Sequence, residues 1–405
     1  MKVPSFMLIA GEPSGDLLGA ELVEALRREW ASRIPLSSDL QPRWVALAPR
    51  FFGAGGCSMA AAGTELVCDL TQHAVVGLSD VLRRLWQFRR VFNALLRLAV
   101  ERQPDAVILV DFSGFNRRFA AALRRRVAAR RGLFNNWHPA IIQYVSPQVW
   151  ASRPGRVRSL ERDLDLLLSI LPFEKDWYAL RAPRLRVEFV GHPICDRHPR
   201  PADGDPLARS RPLVVLLPGS RAAELGGHLP VMLRAGRLLQ QWRGVELCVV
   251  VPNESLAQQA RQLAADTPDI QVQIGGLGAR LREASVAIAA TGTVTLECAW
   301  FGVPTVAVYR TSWLTYQVAK RLVHVAFLAM PNLLLGEAVY PELIQHQATP
   351  ENIVRETLEL LDNPARRAWV QERLGRVAAA LGGPGASGRA ARAVLDLLQS
   401  RMGLG

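Results

Sequence analysis

Lysine is almost missing from this chain. Only Lys2, Lys175 and Lys320 stand among the 49 basic residues of a 405-residue sequence, so arginine carries the excess behind a net charge of +13. Arginine suits phosphorylated ligands, anionic membranes and nucleic acid, because its planar guanidinium pairs with phosphate in a fork. A codon bias toward arginine would give the same number, so charge alone does not choose a partner. Cysteine is scarce and scattered: Cys57, Cys68, Cys195, Cys248 and Cys298 form no CxxC pair, and their number is odd. That pattern speaks against a disulfide framework and against a structural zinc site. No apolar run approaches the roughly 18 residues that cross a membrane. The apolar run after Lys2 is broken by Pro4 and closed by Gly11. It is too short for a secretory leader, and no small-residue cleavage site follows, so the expected location is the cytoplasm. The GxGxxG and Walker lysine patterns are missing as well, which removes support from dinucleotide and P-loop readings.

What is present is core. Hydrophobic residues make up 49% and charged residues 21% of the chain, and this length predicts two domains or more. Short apolar runs alternate with amphipathic stretches. Strands are expected at 5–10, 43–48, 106–111, 140–145, 165–170 and 187–190, with helices such as 15–30, 78–102 and 116–131 between them. This alternation predicts an α/β fold with parallel sheets covered by helices on both faces. Residues 197–212, RHPRPADGDPLARSRP, read as a linker. A second series follows, with strands at 213–217, 246–251, 270–274, 286–289 and 304–308, and helices at 221–242, 254–264, 277–284, 293–301 and 351–362. GGPGASG at 382–388 is another break, and a last helix from Arg389 to Ser400 carries Ala390, Val394, Leu397 and Leu398 on one face. The expected domains are 1–196 and 197–380, both Rossmann-like and doubly wound, facing a cleft. Residues 381–405 would form a C-terminal helix packing back on the first domain or on a partner subunit.

Ligands of doubly wound sheets bind beyond the carboxyl ends of the strands, so the turns there are the candidate sites. In GEPSGD, Gly11–Asp16, a strand meets a helix whose free N–H groups and positive end suit a phosphate or a sugar. Ser14, Gly15 and Asp16 could cap that helix or let a ligand approach. In VILVDFSGFN, Asp111 ends a hydrophobic strand, where partial desolvation would make its carboxylate a usable base. YVSPQVWASR brings Ser146, Trp150 and Arg153 after the next strand, a polar, aromatic and basic mix that suits a sugar or phosphate. In the second half, Pro218–Gly219–Ser220–Arg221 offers backbone N–H groups and a charge-assisted bond to a phosphate oxygen. Thr291–Gly292–Thr293 opens another helix, and Glu297, one turn in, could accept from ribose hydroxyls. Asp163–Leu164–Asp165 fits a metal-binding DxD pattern only by coincidence, because it sits at the start of an apolar run. No metal ligand set is expected, and His192 reads as a turn residue.

AGEPSGDLLGA, VSPQVWASR, LPFEK, GHP, LLPGSRAAE, TGTVTLE and PNLL occur in that order from Phe6 to about Leu398. Together they resemble the lipid-A-disaccharide synthase family, inverting glycosyltransferases of family 19 with the two-domain GT-B fold. The resemblance implies condensation of UDP-2,3-diacylglucosamine with 2,3-diacylglucosamine 1-phosphate (lipid X), giving a β-1,6-linked disaccharide 1-phosphate and UDP, without a cofactor or metal. It implies Asp111 as the catalytic base. Gly219, Ser220, Arg221, Glu224, Thr291, Gly292, Thr293, Glu297 and Asn332 would hold the nucleotide sugar. Glu12, Ser14, Gly15, Asp16, Ser146, Trp150 and Arg153 would line the acceptor side. Gly114 stands where the family carries a second aspartate, and Ser152 replaces one tryptophan of a WAWR motif.

Acylated substrates imply peripheral contact with the inner face of the cytoplasmic membrane. Residues 75–100 mix Leu78, Val81, Leu82, Leu85, Trp86 and Phe88 with Arg83, Arg84, Arg89 and Arg90, as an interfacial helix would. Residues 313–335 are a second candidate. Other GT-B transferases or UDP-sugar epimerases are the nearest alternatives; a non-enzymatic binder of acyl-sugars or nucleic acid is more distant. The arginines at 124–131 lack the interleaved aromatics of a nucleic-acid platform, so no nucleic acid is expected. The GGPGASG hinge is compatible with a homodimer.

Overall fold

The computed structural model describes residues 3–34, 48–70, 81–199, 210–267, 269–322 and 325–401. The chain divides into two compact units, residues 1–196 with 382–405, and residues 197–381.

The first unit runs β1 (Ser5–Ala10), α1 (Pro13–Ser32), β2 (Arg50–Gly55), α2 (Cys57–Ala61), β3 (Glu65–Asp69), α3 (Val81–Arg102), β4 (Ala106–Val110) and α4 (Ser113–Arg130). It continues through β5 (Ala140–Tyr144), α5 (Val149–Ser152), α6 (Val157–Asp163), β6 (Leu166–Ser169), α7 (Glu174–Ala179), β7 (Val187–Phe189) and α8 (Ile194–Arg197). The seven strands form one parallel sheet in the order β3-β2-β1-β4-β5-β6-β7. Central strands are largely apolar because both faces are covered. Phe6, Leu8 and Ala10 of β1 point into one core, Met7 and Ile9 into the other. Burying a large apolar side chain of this kind contributes about 1.5–3 kcal/mol.

The second unit holds β8 (Leu213–Leu217), α9 (Ala222–Arg243), β9 (Glu246–Val251), α10 (Glu254–Leu263), β10 (Ile270–Ile274), α11 (Leu277–Glu283), β11 (Val286–Ala290) and α12 (Thr293–Trp300). Then come β12 (Thr305–Tyr309), α13 (Trp313–Leu322), α14 (Met330–Leu335), β13 (Glu342–Ile344), α15 (Pro350–Asp362) and α16 (Pro364–Ala380). Its parallel sheet has the order β10-β9-β8-β11-β12-β13.

The last helix, α17 (Ala386–Arg401), belongs to the first unit. Its apolar face, Ala390, Val394, Leu395 and Leu398, shares a core with Leu22 and Leu26 of α1. Asp196 caps its start, accepting from the backbone N–H of Gly385, Ala386 (3.3 Å) and Ser387 (3.2 Å). Arg33 of the same chain reaches Asp396 at 2.8 Å.

Most expected strands lie where the apolar runs are. The expected strand at 43–48 falls almost wholly outside the described residues, and β2 follows it at Arg50–Gly55. Its sequence, RFFGAG, carries two glycines and resembles a turn. β3 and β13 are short and half-covered, and sequence reading missed them. It also missed α16, although Asn363 followed by Pro364 is a helix-start signal: the Asn363 side chain accepts from Arg366 N at 3.0 Å. The interfacial stretch at 75–100 has its first residues, and the side chains of 81–87, outside the described set.

Candidate functional site

Each sheet has one place where the strand order reverses, and there the loops from adjacent strands part to leave a crevice. In the first unit it lies between β1 and β4, in the second between β8 and β11. The turns that follow these four strands are Gly11–Glu12, Asp111–Phe112, Pro218–Arg221 and Thr291–Gly292. The topology thus pairs the turn of Glu12 with that of Asp111, and the turn of Arg221 with that of Thr291.

At the first reversal, Asp111 and Phe112 both adopt left-handed backbone, with φ of 48° and 37°. Non-glycine residues there cost about 1–3 kcal/mol each and persist only where surroundings enforce them. Two buried amides do so. Asn116 Nδ2 donates to the carbonyls of Val110 (3.2 Å) and Asp111 (2.7 Å). Gln143 Nε2 donates to the carbonyls of Asp111 (3.1 Å), Tyr144 (3.3 Å) and Val145 (3.1 Å). Val145 is itself left-handed, with φ of 68°. Gln143 thus ties the ends of β4 and β5 together. Neither amide was a candidate from sequence, though Gln143 is the one amide in the otherwise apolar and aromatic run AIIQY.

The turn after β1 differs from expectation. Glu12, not Ser14, occupies the cap position of α1, and Pro13 begins the helix. Ser14 is exposed in the first turn. Gly15 is buried, and a Cβ there would lie 3.5 Å from the Val110 carbonyl and 3.6 Å from Asp111 Cβ. Gly15 thus packs α1 against the end of β4 at ordinary van der Waals distance. Asp16 is buried, and its carboxylate accepts from the N–H groups of Gly56 (2.7 Å), Ser58 (2.9 Å) and Met59 (3.1 Å). It caps α2, which has no side-chain cap of its own, where an acceptor contact was expected.

Ser146 and Trp150 are also committed inward. Ser146 Oγ lies 3.0 Å from Tyr178 Oη, Trp150 Nε1 donates to Glu174 Oε1 at 2.9 Å, and Ser169 Oγ donates to Glu174 Oε2 at 2.6 Å. Burial pushes the Glu174 carboxyl above its ordinary range, against the opposing pull of these donors. Ser146 and Trp150 frame the loop after β5 through a buried glutamate that lies within LPFEK but was not singled out from sequence. Arg153 is exposed. The DxD aspartates are structural: Asp165 pairs with Arg124 and Arg401, and Asp163 with Arg162.

At the second reversal the backbone relies on glycine. Gly219 has φ of 117°, and a Cβ there would meet Glu224 Oε2 at 2.6 Å. Glu224 holds the turn: Oε2 accepts from Ser220 N (3.1 Å) and Oε1 pairs with Arg221 Nη1 (3.0 Å). The Arg221 side chain is 68% exposed. One helical turn past Glu224, His228 braces the same loop. Its Nδ1 donates to the Pro218 carbonyl at 2.9 Å and its Nε2 accepts from Arg310 N at 3.0 Å, so the ring is neutral. Burial lowers its pKa, in keeping with that tautomer. The Glu224–His228 spacing of four on one helix was the available signal for it.

Gly292 caps α12 with φ of 122° and open space around its missing side chain. No side chain caps this helix, and no acidic residue sits in its first turn. Thr293 is exposed there. Glu297 is half-buried, its pKa raised by burial and drawn back by Arg197. Asn332 is 0% exposed and engaged on both sides of its amide: Nδ2 donates to the Tyr340 carbonyl (2.8 Å) and Glu342 Oε1 (2.9 Å), and Oδ1 accepts from Tyr340 N (2.8 Å). It locks α14 to the segment before β13, where a contact with the nucleotide sugar was expected. Among the described residues there is no group of three or more His, Cys, Asp and Glu that could hold a metal. No helix of those residues is long and apolar enough to cross a membrane.

Two doubly wound units in one chain are the architecture of the GT-B fold. A solved glycosyltransferase of kitacinnamycin aligns with 98% of this chain and 100% of its own, at a TM-score of 0.62 and 19% identity. UDP-GlcNAc 2-epimerase from Neisseria meningitidis, solved with UDP-GlcNAc, aligns over 98% and 100% at a TM-score of 0.61 and 10% identity, a likeness of fold. The family model described as lipid-A-disaccharide synthetase matches residues 6–394. Lipid-A-disaccharide synthase of Geobacter metallireducens is 37% identical over 401 residues, 97% of each chain. The chain belongs to the lipid-A-disaccharide synthase family, whose members act in lipid A biosynthesis.

Proposed function

We propose that this chain transfers the 2,3-diacylglucosaminyl group of a UDP donor to the 6-hydroxyl of 2,3-diacylglucosamine 1-phosphate, with inversion. Asp111 takes the hydroxyl proton as the oxygen attacks the anomeric carbon. The bond from that carbon to the UDP oxygen breaks, and UDP leaves with the electron pair. The N–H groups at the start of α12, those of Gly219–Arg221 and the Arg221 guanidinium stabilise the charge that develops on the diphosphate. Glu297 accepts from the ribose hydroxyls.

The observation that carries this reading is Asp111, a carboxylate held on strained backbone at the strand-order reversal by Asn116 and Gln143. Energy stored at a position that bears a titratable group points to chemistry there. The test is a product assay in detergent with UDP-2,3-diacylglucosamine and the 1-phosphate acceptor. Disaccharide and UDP from the wild type, with loss in Asp111→Asn, support the reading. Wild-type protein that binds the donor and makes no disaccharide would sink it in favour of another acceptor or an epimerase.

Acylated substrates place the reaction at a membrane surface. Trp313 is 72% exposed at the start of α13, and Lys320 and Arg321 close that helix. A basic and aromatic helix of this kind suits an anionic interface, and co-sedimentation with phosphatidylglycerol vesicles, lost in Trp313→Ser, would support the contact.

A further inference from the structure

Several arginines of the first unit are neutralised by carboxylates. Arg124 pairs with Asp165, Arg162 with Asp163 and Arg184 with Glu161. Four others, near the start of α4, have no carboxylate partner among the described residues. Arg117 and Arg118 sit in the second turn of α4, Arg153 follows α5, and Arg156 immediately precedes α6, which packs on α4. They are close enough to act on one another. Arg156 is half-buried, and its proton is held less tightly because of burial and then because of Arg117, Arg153 and Arg118. Gathering like charges around a partly desolvated guanidinium costs free energy unless an anion joins them.

Space for that anion lies at the start of α4. Helical side chains lean toward the N-terminus, so Arg117 reaches back over Ser113 and Gly114, and Arg118 over Gly114. No atom of the described residues lies within 4 Å of a Cβ built at Gly114. The positive end of an 18-residue helix adds to the field there. Among the described residues no large exposed apolar side chain neighbours these four arginines in sequence, as an interfacial patch would require.

We propose that Arg117, Arg118, Arg153 and Arg156 bind a phosphate monoester, and that the occupant is the 1-phosphate of the acceptor sugar. The assignment of the occupant rests on the acceptor named above. Asp111 lies two residues before α4, and Arg117 stands one turn inside it, roughly 6 Å of helix rise past Ser113, so one sugar can present its hydroxyl to Asp111 and its phosphate to the arginines. A monoester near two negative charges accepts forked bonds from several guanidiniums and relieves their repulsion. The cluster thus selects a phosphorylated acceptor and sets which hydroxyl meets the base.

The test uses the full chain in detergent micelles, with UDP-2,3-diacylglucosamine and either 2,3-diacylglucosamine 1-phosphate or its dephosphorylated form. In Arg117→Gln/Arg156→Gln, the KM for the phosphorylated acceptor should rise about 10- to 100-fold. KM for the donor should stay, and the preference for the phosphorylated form should vanish. Arg130→Gln, at the far end of α4, should change neither. Arg118→Gln, at an exposed position where folding is insensitive to the change, should give a smaller rise of the same kind. Equal loss on both acceptors, or no loss on either, overturns the proposal. So does a variant that keeps its acceptor preference and loses only binding to phosphatidylglycerol vesicles, which would assign the arginines to a bilayer. If the wild type transfers sugar to neither form, the proposed reaction falls. The cluster is then read by equilibrium binding of the two acyl-sugars: selective loss of the phosphorylated one in the variant upholds the site, and unchanged binding overturns it.

Discussion

The two reversal points solve the same topological problem with opposite backbone chemistry. Around Pro218–Arg221 and at Thr291–Thr293 the positive φ angles fall on Gly219 and Gly292. Around Asp111 they fall on Asp111, Phe112 and Val145, which have side chains. A site that grips a diphosphate through N–H groups needs no side chain at the turn, and glycine adopts the required conformation without strain. A site that moves a proton must keep a carboxylate there. The strain is then offset by hydrogen bonds from Asn116 and Gln143.

The contrast is sharpest at Asp111. Asp111→Ala should lower kcat by about 10²- to 10⁴-fold and leave UDP affinity unchanged, measured by product formation and by calorimetric titration of UDP. A comparable loss of UDP affinity would break the division of labour between the two sites.

Asn116→Ala should come next. Removing a buried donor leaves the Val110 and Asp111 carbonyls short of partners, which costs about 1–3 kcal/mol in denaturant unfolding, and the turn relaxes, so kcat falls without a change in donor KM. Asn116→Asp, which keeps the shape of the side chain but not its donor, should fail in the same way.

Asn332→Ala tests the inward placement of that side chain at the second site. Its hydrogen bonds are to Tyr340 and Glu342, so stability should drop by about 1–3 kcal/mol while the folded protein binds UDP as before. A selective loss of UDP affinity at unchanged stability would restore Asn332 to the nucleotide site.

The smallest effect is a pH dependence. His228 is neutral and buried, with its folded pKa below the ordinary 6.5. The unfolded chain therefore binds more protons in that window. Stability contributed by His228 is present above pH 6.5 and is lost as pH falls from there through the lowered value. Chemical denaturation across this range should show the fall in the wild type and a flatter profile in His228→Gln.

Much of the fold was legible because burial on both faces leaves runs such as LVVLL and AVILV with one reading. β8, β9 and β10 lie on the expected residues. The turns of the candidate site were legible in their position along the chain. Asp111 and Thr291 stand at strand ends in the sequence and at reversal points in the fold. What the sequence did not show was the partner of each polar side chain. Asp16, Ser146 and Asn332 have polar groups that suit a ligand equally well, and each is engaged by backbone or buried partners. Partners such as Gly56, Tyr178 and Tyr340 are set by packing between elements.

Sequence by itself determined the alternation of strand and helix, the catalytic class through its ordered motifs, and the arginine excess, because these depend on local pattern and residue chemistry. Only the tertiary structure decided which polar side chains face inward and which arginines lack a carboxylate among the described residues. It also decided that α17 returns to α1 and that Asp111 sits on strained backbone. Each of these depends on residues distant in the chain meeting in space, and local pattern carries no record of that meeting.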